Sequence, residues 1–258
     1  MPINKGKIHA QKLLSEFGLE DLTDISLEDV ISARDIILQE KSLINSDGRI
    51  VFGKHKAIIT INSDIEFPGK RRFTLAHELG HYEMHRKTIV IHNDTDATLE
   101  YFKNGHQETE ANQFATELLM PSYRFADYCS GKVFSPDLLR NLSNKFSTSI
   151  TSVAYRYLEL GQHPIFLFYS HNNKVKYWKN SSDYYIKVKE NTKLPPPSDS
   201  VAAEFFDDGT IYRKEESKQK ISKSTWFELS EDDEDTEFYE YCIITPKYNT
   251  VLSIVWEE

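Results

Sequence analysis

The pentapeptide His77-Glu78-Leu79-Gly80-His81 constrains this chain more than any other feature of its sequence. Residues four apart lie one above the other on a helix, so both imidazoles can reach a single metal ion. Glu78 points near the same ion but lies off the line of the two histidines. This is where a general base acting on metal-activated water is placed. The motif therefore predicts a helix that carries two zinc ligands and a base.

The residues around this motif indicate a buried helix. A motif of five residues also fits a helix that binds no metal, so its neighbours matter. Pro68 and Gly69 predict a turn just upstream, and the helix is apolar nearly all round at Phe73, Leu75, Ala76 and Leu79. Burying two histidines and a glutamate without partners costs free energy, and a bound metal would remove that cost.

A second amphipathic pattern, ending at Pro121, supplies a third ligand. Its apolar positions follow the spacing of a helix: Ala111, Phe114, Ala115, Leu118 and Leu119. Glu108 projects roughly 50° from the centre of that face, whereas Glu110 and Glu117 project more than about 90° away. We therefore expect Glu108 to point inward and the other two to point toward water. A first-turn glutamate favoured by the helix dipole is the alternative for Glu108.

Two further residues lie one helical turn from the expected ligands. Asn112 follows Glu108 by one turn and could hydrogen-bond a ligating histidine or carboxylate. His85 follows His81 by one turn. A fourth protein ligand would close the site to water, so His85 is expected to support a ligand or lie at the rim.

The two blocks together resemble a known family. F-T-L-A-H-E-L-G-H-Y followed by E-x-E-A-N-x-F-A-x-E-L-L-M-P is similar to the ImmA/IrrE family of bacterial and phage metallopeptidases, over roughly residues 5–160. The resemblance implies a zincin-like, mostly helical peptidase domain with a small sheet. It also implies Zn²⁺ held by His77, His81 and Glu108, with Glu78 as the catalytic base. The strand at residues 57–62 resembles the edge strand that precedes the helix in such enzymes.

The resemblance also suggests a substrate. Members of this family act on helix-turn-helix repressors and so release transcription of mobile elements, stress genes or defence genes. We therefore expect a zinc metallo-endopeptidase that cleaves such a repressor and takes part in transcription regulation.

The chain is expected to be an α+β protein of two parts. Residues 1–162 would form the peptidase domain, with helical spacing at 8–17 and 27–40 and a helix pair at 138–160. Residues 163–258 would form a smaller β-rich module that senses a ligand or shapes the substrate groove. Its predicted elements are a hairpin, at 165–169 and 174–178, and a final strand at 250–256.

Composition excludes several other classes. The first residues lack an apolar leader and no apolar run could span a bilayer, so a cytoplasmic protein without a membrane partner is expected. Cys129 and Cys242 give no disulfide framework. The net charge of −9 argues against binding duplex DNA. Single-stranded nucleic acid or a small-molecule effector remains a candidate ligand of the C-terminal module.

Two functions from other classes stay open. The helix pair could belong to a DNA-binding regulator, although its second helix offers only Arg156 as a cation. The metal could instead be structural, in an antitoxin or sensor that cuts no bond, although such a site is usually closed by four ligands. Residues that could stabilise a tetrahedral intermediate are His92, His106, Tyr101 and Tyr123, and the sequence does not choose among them.

Overall fold

In a computed structural model, the chain divides into two compact units. The structure describes residues 4–53, 55–90, 99–100, 105–181, 186–214 and 217–257. The first unit contains Met1–Asp127 and Ser143–Ser149, and the second contains Tyr128–Leu142 and Ile150–Glu258. None of the described helices is both long and apolar enough to cross a membrane.

The first unit combines helices with a small sheet. Its helices are α1 (Lys5–Glu16), α2 (Leu27–Ala33), α3 (Pro68–Val90), α4 (Gly105–Leu119) and most of α5 (Ser122–Cys129). Its strands are β1 (Ile37–Lys41), β2 (Gly48–Phe52), β3 (Ala57–Asn62) and the two-residue β4 (Leu99–Glu100). They lie in the order β1-β3-β2-β4, with β1 parallel to β3 and the other pairs antiparallel.

Glycines allow the helices of this unit to pack closely. A Cβ on Gly80 of α3 would lie 2.9 Å from Cδ1 of Phe114, which is fully buried in α4. A Cβ on Gly6 of α1 would lie 2.4 Å from the carbonyl oxygen of Glu110. Helix α4 therefore lies against α3 on one side and against α1 on another, and both contacts require a residue without a side chain.

Three predictions about this unit are wrong. Pro68 and Gly69 do not form a separate turn, because they begin α3, where proline is favoured at the first helical position. The apolar spacing at 27–40 is not one helix: α2 ends at Ala33, Asp35 takes a left-handed φ of 55°, and the chain continues as β1. Apolar spacing cannot separate a helix from a helix followed by a short strand. Strand β3 is not an edge strand either, because it pairs with β1 on one side and β2 on the other.

The second unit is built on an antiparallel sheet. Its helices are α6 (Pro136–Phe146), whose last turn belongs to the first unit, α7 (Ile150–Leu160), α8 (Val201–Asp208) and the short α9 (Lys223–Trp226). Its strands are β5 (Phe166–His171), β6 (Val175–Asn180), β7 (Gln219–Ser222), β8 (Glu237–Thr245) and β9 (Thr250–Glu257). They lie in the order β6-β5-β9-β8-β7. The expected helix pair, hairpin and final strand are present, and the α+β class is confirmed.

The helix pair packs on this sheet. The ring of Phe134, just before α6, lies 5.1 Å from that of Tyr157 in α7 and 4.6 Å from that of Trp256 in β9. The compact units therefore group most of α6 and all of α7 with the sheet, rather than dividing the chain at residue 162. The functional division at residue 162 stays a prediction.

Candidate metal centre

Three side chains from α3 and α4 bring ligand atoms together. Nε2 of His77 and Nε2 of His81 lie 3.1 Å apart. The carboxylate of Glu108 faces both: Oε2 is 3.3 Å from Nε2 of His77, and Oε1 is 3.3 Å from Nε2 of His81. Both histidines are buried, and Glu108 is partly exposed. Within the described part of the chain, these residues form a group that could hold a metal ion.

The spacing of these atoms fits a tetrahedral metal of the size of zinc. Metal–ligand bonds of about 2.0–2.1 Å place neighbouring ligand atoms about 3.3–3.4 Å apart in a tetrahedron. Oε1 of Glu108 is buried and accepts no hydrogen bond from a described residue. A buried carboxylate oxygen beside two imidazole nitrogens needs a cation to offset the cost of burial. The donor set, two imidazoles and a carboxylate, is one of those that catalytic zinc sites use.

Asn112 orients the first histidine. Its Oδ1 accepts a hydrogen bond from Nδ1 of His77, with the two atoms 2.9 Å apart. The amide oxygen can only accept, so Nδ1 carries the proton and the lone pair of Nε2 faces the cluster. The sequence-based expectation for Asn112 therefore corresponds to a contact in the structure.

A chain of buried groups orients the second histidine. Nδ1 of His81 lies 3.0 Å from Nδ1 of His85, and Nε2 of His85 lies 3.0 Å from Oε2 of Glu110. If His85 donates to the carboxylate of Glu110, its Nδ1 accepts the proton of His81, and the lone pair of His81 Nε2 then faces the cluster. Glu110 also pairs with Lys5 of α1 at 3.2 Å.

The charge of Glu110 is maintained in this environment. Burial acts to raise its pKa, but hydrogen bonds with His85 and Lys5 outweigh burial, so the pKa lies below its ordinary value of 4.5. The carboxylate is thus ionised near neutral pH and can accept a hydrogen bond from His85.

Glu78, the glutamate of the motif, is shielded from solvent. Its side chain is only 1% exposed. A Cβ on Gly48 of β2 would lie 3.3 Å from Oε1 of Glu78 and 2.6 Å from a methyl carbon of Thr74. The start of β2 therefore packs directly over the glutamate of the motif, and a larger residue at position 48 would displace it.

The structure corrects the expected orientation of two glutamates. Glu110 and Glu117 do not face water, because both are buried. The amphipathic pattern describes one apolar face, but α4 is also covered by α1, where Glu117 accepts a hydrogen bond from Gln11 at 2.9 Å. The roles of Glu110 and Gly48 depend on contacts between elements that are distant in the chain, and no local sequence pattern indicates them.

The remaining candidates take ordinary positions. Cys129 is fully buried, and burial raises its pKa to about 11, which disfavours a metal-binding thiolate. The hydroxyl of Tyr123 donates a hydrogen bond to the carbonyl oxygen of Glu20. His106 is exposed and lies 3.4 Å from Glu110. His92 and Tyr101 lie outside the described residues.

Two histidines and a glutamate on packed helices, with a buried glutamate inside the H-E-x-x-H turn, define a metallopeptidase-like centre. Residues 32–158 match the Peptidase_M78 family, described as the IrrE N-terminal-like domain. This match confirms the resemblance of these residues to the ImmA/IrrE family.

Solved structures agree on the fold. A transcriptional regulator from Mycobacterium tuberculosis superposes with a TM-score of 0.59, over 98% of this chain and 88% of that chain, at 14% sequence identity. An identity this low supports a common fold and nothing about the site. A comparison with curated proteins gives no significant match.

Proposed function

We propose that the protein is a zinc-dependent endopeptidase of the cytoplasm that cleaves a helix-turn-helix repressor. The observation that supports this most directly is the cluster of two imidazole nitrogens, 3.1 Å apart, each 3.3 Å from one oxygen of Glu108, beside the buried Glu78. Zinc is proposed because this donor set and spacing suit it. The repressor substrate is proposed from the family alone.

The mechanism assigns a role to each residue of the centre. His77, His81 and Glu108 would hold the ion, and Asn112 and His85 would keep the two imidazoles in the correct tautomer. When bound, zinc would supply Lewis-acid activation of a water molecule and of the scissile carbonyl. Glu78 would accept a proton from the attacking water and deliver it to the leaving amine. Burial of Glu78 beneath Gly48 would limit the exchange of its proton with bulk water.

A DNA-binding regulator is the alternative, and the helix pair offers it little support. Arg156, the cation of α7, is buried and pairs with Glu159 at 3.2 Å. A buried arginine cannot contact a phosphate or a base edge without leaving its site. For the second unit, we propose a sensing or substrate-binding role.

The first prediction concerns the base. Glu78→Gln should keep the metal content of the wild type and lower the cleavage rate about 10²–10⁴-fold, because it removes the proton acceptor without touching a ligand. Purified protein would be incubated with the repressor encoded nearest its own gene. Fragments would be mapped by mass spectrometry and metal measured by elemental analysis.

The matched control lies on the same helix. Glu83→Gln makes the same chemical change, but Glu83 pairs with Arg34 at 2.7 Å and has no place in the proposed mechanism. It should cleave at a rate close to that of the wild type. Undiminished cleavage by Glu78→Gln would overturn the mechanism, and loss of its metal would show that the residue acts on the ion instead.

A further inference from the structure

A cavity of about 350 Å³ lies in the second unit, beside the end of β7. The pairing of β7 with β8 extends only from Ser222↔Glu237 to Gln219↔Glu240. Residues 241–245 of β8 therefore have no strand partner on that side among the described residues. Tyr241, Cys242 and Ile244 line the cavity from this open edge. The lining residues from the segment before β7 are Ile211, Tyr212, Lys214 and Ser217.

Two cationic side chains line the cavity. Arg140 of α6 and Lys214 line it, and the described residues of its wall include no carboxylate. The Arg140 side chain is 20% exposed and pairs with Asp137 at 2.9 Å. Nε donates a second hydrogen bond to Asp137 at 3.2 Å, and the guanidinium lies over the ring of Tyr241. The contacts of Arg140 with Oγ of Ser217 at 3.4 Å and the carbonyl oxygen of Lys214 at 3.5 Å are longer than usual hydrogen bonds. A carboxylate in the cavity would offer the guanidinium better acceptors.

The rest of the wall suits a small apolar body. Val201, Ile211 and Ile244 supply apolar surface, and the phenol of Tyr241 adds a polar group beside Arg140. Burial raises the pKa of Tyr241, so its hydroxyl is neutral and can donate a hydrogen bond. The volume is at the lower end of the range for small-molecule sites, about 300–1,000 Å³.

We infer that this cavity binds a small organic carboxylate, with Arg140 as the partner of the anion and the aliphatic wall around its apolar part. The inference deepens the sensing role proposed above for the second unit. It does not depend on peptide cleavage, and binding can be measured directly.

Binding would be tested on the full-length protein with three carboxylates: benzoate, phenylacetate and hexanoate. The matched neutral probes are benzamide, phenylacetamide and hexanamide. Calorimetry and ligand-observed NMR should detect at least one carboxylate, with its amide about tenfold weaker or more, because a hydrogen bond to a charged group is stronger than one between neutral groups.

Three variants locate the site. Arg140→Gln should weaken carboxylate binding about tenfold or more, whereas Arg213→Gln removes the same charge from an exposed neighbour outside the cavity and should change nothing. Ile211→Trp should also abolish binding by filling the cavity. Ile211 is 55% exposed, so this variant should fold even if Arg140→Gln does not.

The inference is overturned if none of the three carboxylates binds to the wild type at millimolar concentration. It is also overturned if the amides bind as well as the carboxylates, or if Ile211→Trp binds like the wild type. If the wild-type protein binds a carboxylate but cleaves no repressor, the proposed peptidase function is contradicted and the binding site is not.

Discussion

Glu108 and Glu110 are two residues apart on α4 and contact different groups. Glu108 faces Nε2 of both histidines of the motif, whereas Glu110 contacts His85 and Lys5. Successive residues of a helix turn by about 100°, so these two side chains leave α4 in nearly opposite directions. The first can bind the metal directly, and the second can act on it only through His85.

The second prediction separates these two roles. Glu108→Ala removes a ligand and should lower metal affinity more than Glu110→Ala, for which a loss of about 10–100-fold is expected. From the sequence alone, Glu110→Ala should have almost no effect, and its contact with His85 revises that expectation. Affinity would be measured by competition with a fluorescent chelator at neutral pH.

A variant on the same helix supplies the control. Glu117→Gln alters a buried carboxylate that contacts Gln11 and Ser122 rather than the histidines. It should leave metal affinity unchanged. If Glu110→Ala lost more metal than Glu108→Ala, the assignment of the third ligand would be wrong.

The sequence predicts the cluster of residues better than their surroundings. The pairing of His77 with His81 follows from helical spacing, because a helix fixes which of its residues share a face, and the family resemblance adds Glu108 from α4. The burial of Glu110 depends on α1, which is about a hundred residues earlier in the chain, and no local pattern in α4 reports that contact. Periodicity describes one element at a time, so contacts between distant elements escape it.

At the scale of elements, the packing of α3 on α4 depends on a glycine inside the motif. We predict that Gly80→Ala destabilises the protein by about 1–3 kcal/mol, because its Cβ would lie 2.9 Å from the buried ring of Phe114. Gly105→Ala is the control. It also lies in a helix, but no atom of the described residues lies within 4 Å of the position that its Cβ would take, so it should be neutral or slightly stabilising. Urea unfolding would measure both.

This comparison separates packing from propensity. Helix propensity alone would make both alanine variants more stable than the wild type. A stabilised Gly80→Ala variant would therefore show that α3 and α4 can move apart without cost, contrary to their close approach at this glycine.

The loop after α1 gives a prediction about pH. Burial acts to raise the pKa of Asp21, but hydrogen bonds from Thr23 and Arg124 outweigh it and lower the pKa below its ordinary value of 3.8. A depressed pKa stabilises the fold above the unfolded-state pKa, and that stability is lost as pH falls through the folded-state pKa. Unfolding free energy should therefore decrease below about pH 4.

Asp21→Asn should reduce the decrease of unfolding free energy in this acid range. The exposed Asp24 lies three residues away, and Asp24→Asn is the matched control that should follow the wild type. Chemical unfolding at a series of pH values would measure the slopes. Equal slopes for wild type and Asp21→Asn between about pH 4 and about pH 2, the acid range in question, would contradict the role assigned to Asp21.

Some elements are predictable from short patterns and others are not. The hairpin of β5 and β6 follows from two apolar runs around Asn172 and Asn173, both of which take left-handed φ values. The sequence does not predict strand β8, because the run Glu237–Thr245 mixes charged and aromatic residues. Glu240 lies in its middle and is fully buried, where it accepts hydrogen bonds from the backbone of Val201 and from Trp226. A glutamate within a charged run is typical of an exposed loop, and only its tertiary contacts explain why it lies in a buried strand.

At the scale of the whole molecule, the two compact units change how the C-terminal module should be tested. A chain that ends at Gly161 would keep α6 and α7 but lose β9, and with it the contact between Trp256 and Phe134. Such a truncation would expose apolar residues of the helix pair, so a loss of activity could reflect misfolding. Point variants in the full-length chain avoid this problem.

The last prediction uses the distribution of tryptophan. All three tryptophans, Trp178, Trp226 and Trp256, belong to the second unit, whereas the metal cluster belongs to the first. A ligand that binds only the folded form stabilises it, by about 2.7 kcal/mol at a free concentration one hundred times its Kd. We therefore expect chelation to lower the melting temperature of the first unit and to leave that of the second almost unchanged.

Two probes can separate these transitions. Circular dichroism follows the helices of both units, and tryptophan fluorescence follows the second unit alone. After chelation, part of the dichroism change should shift to lower temperature while the fluorescence transition stays in place. Glu108→Ala should reproduce that shift without a chelator, because it lacks a ligand. A fluorescence transition that moves together with the dichroism would show that the two units unfold as one, and a metal-independent dichroism curve would contradict the metal centre.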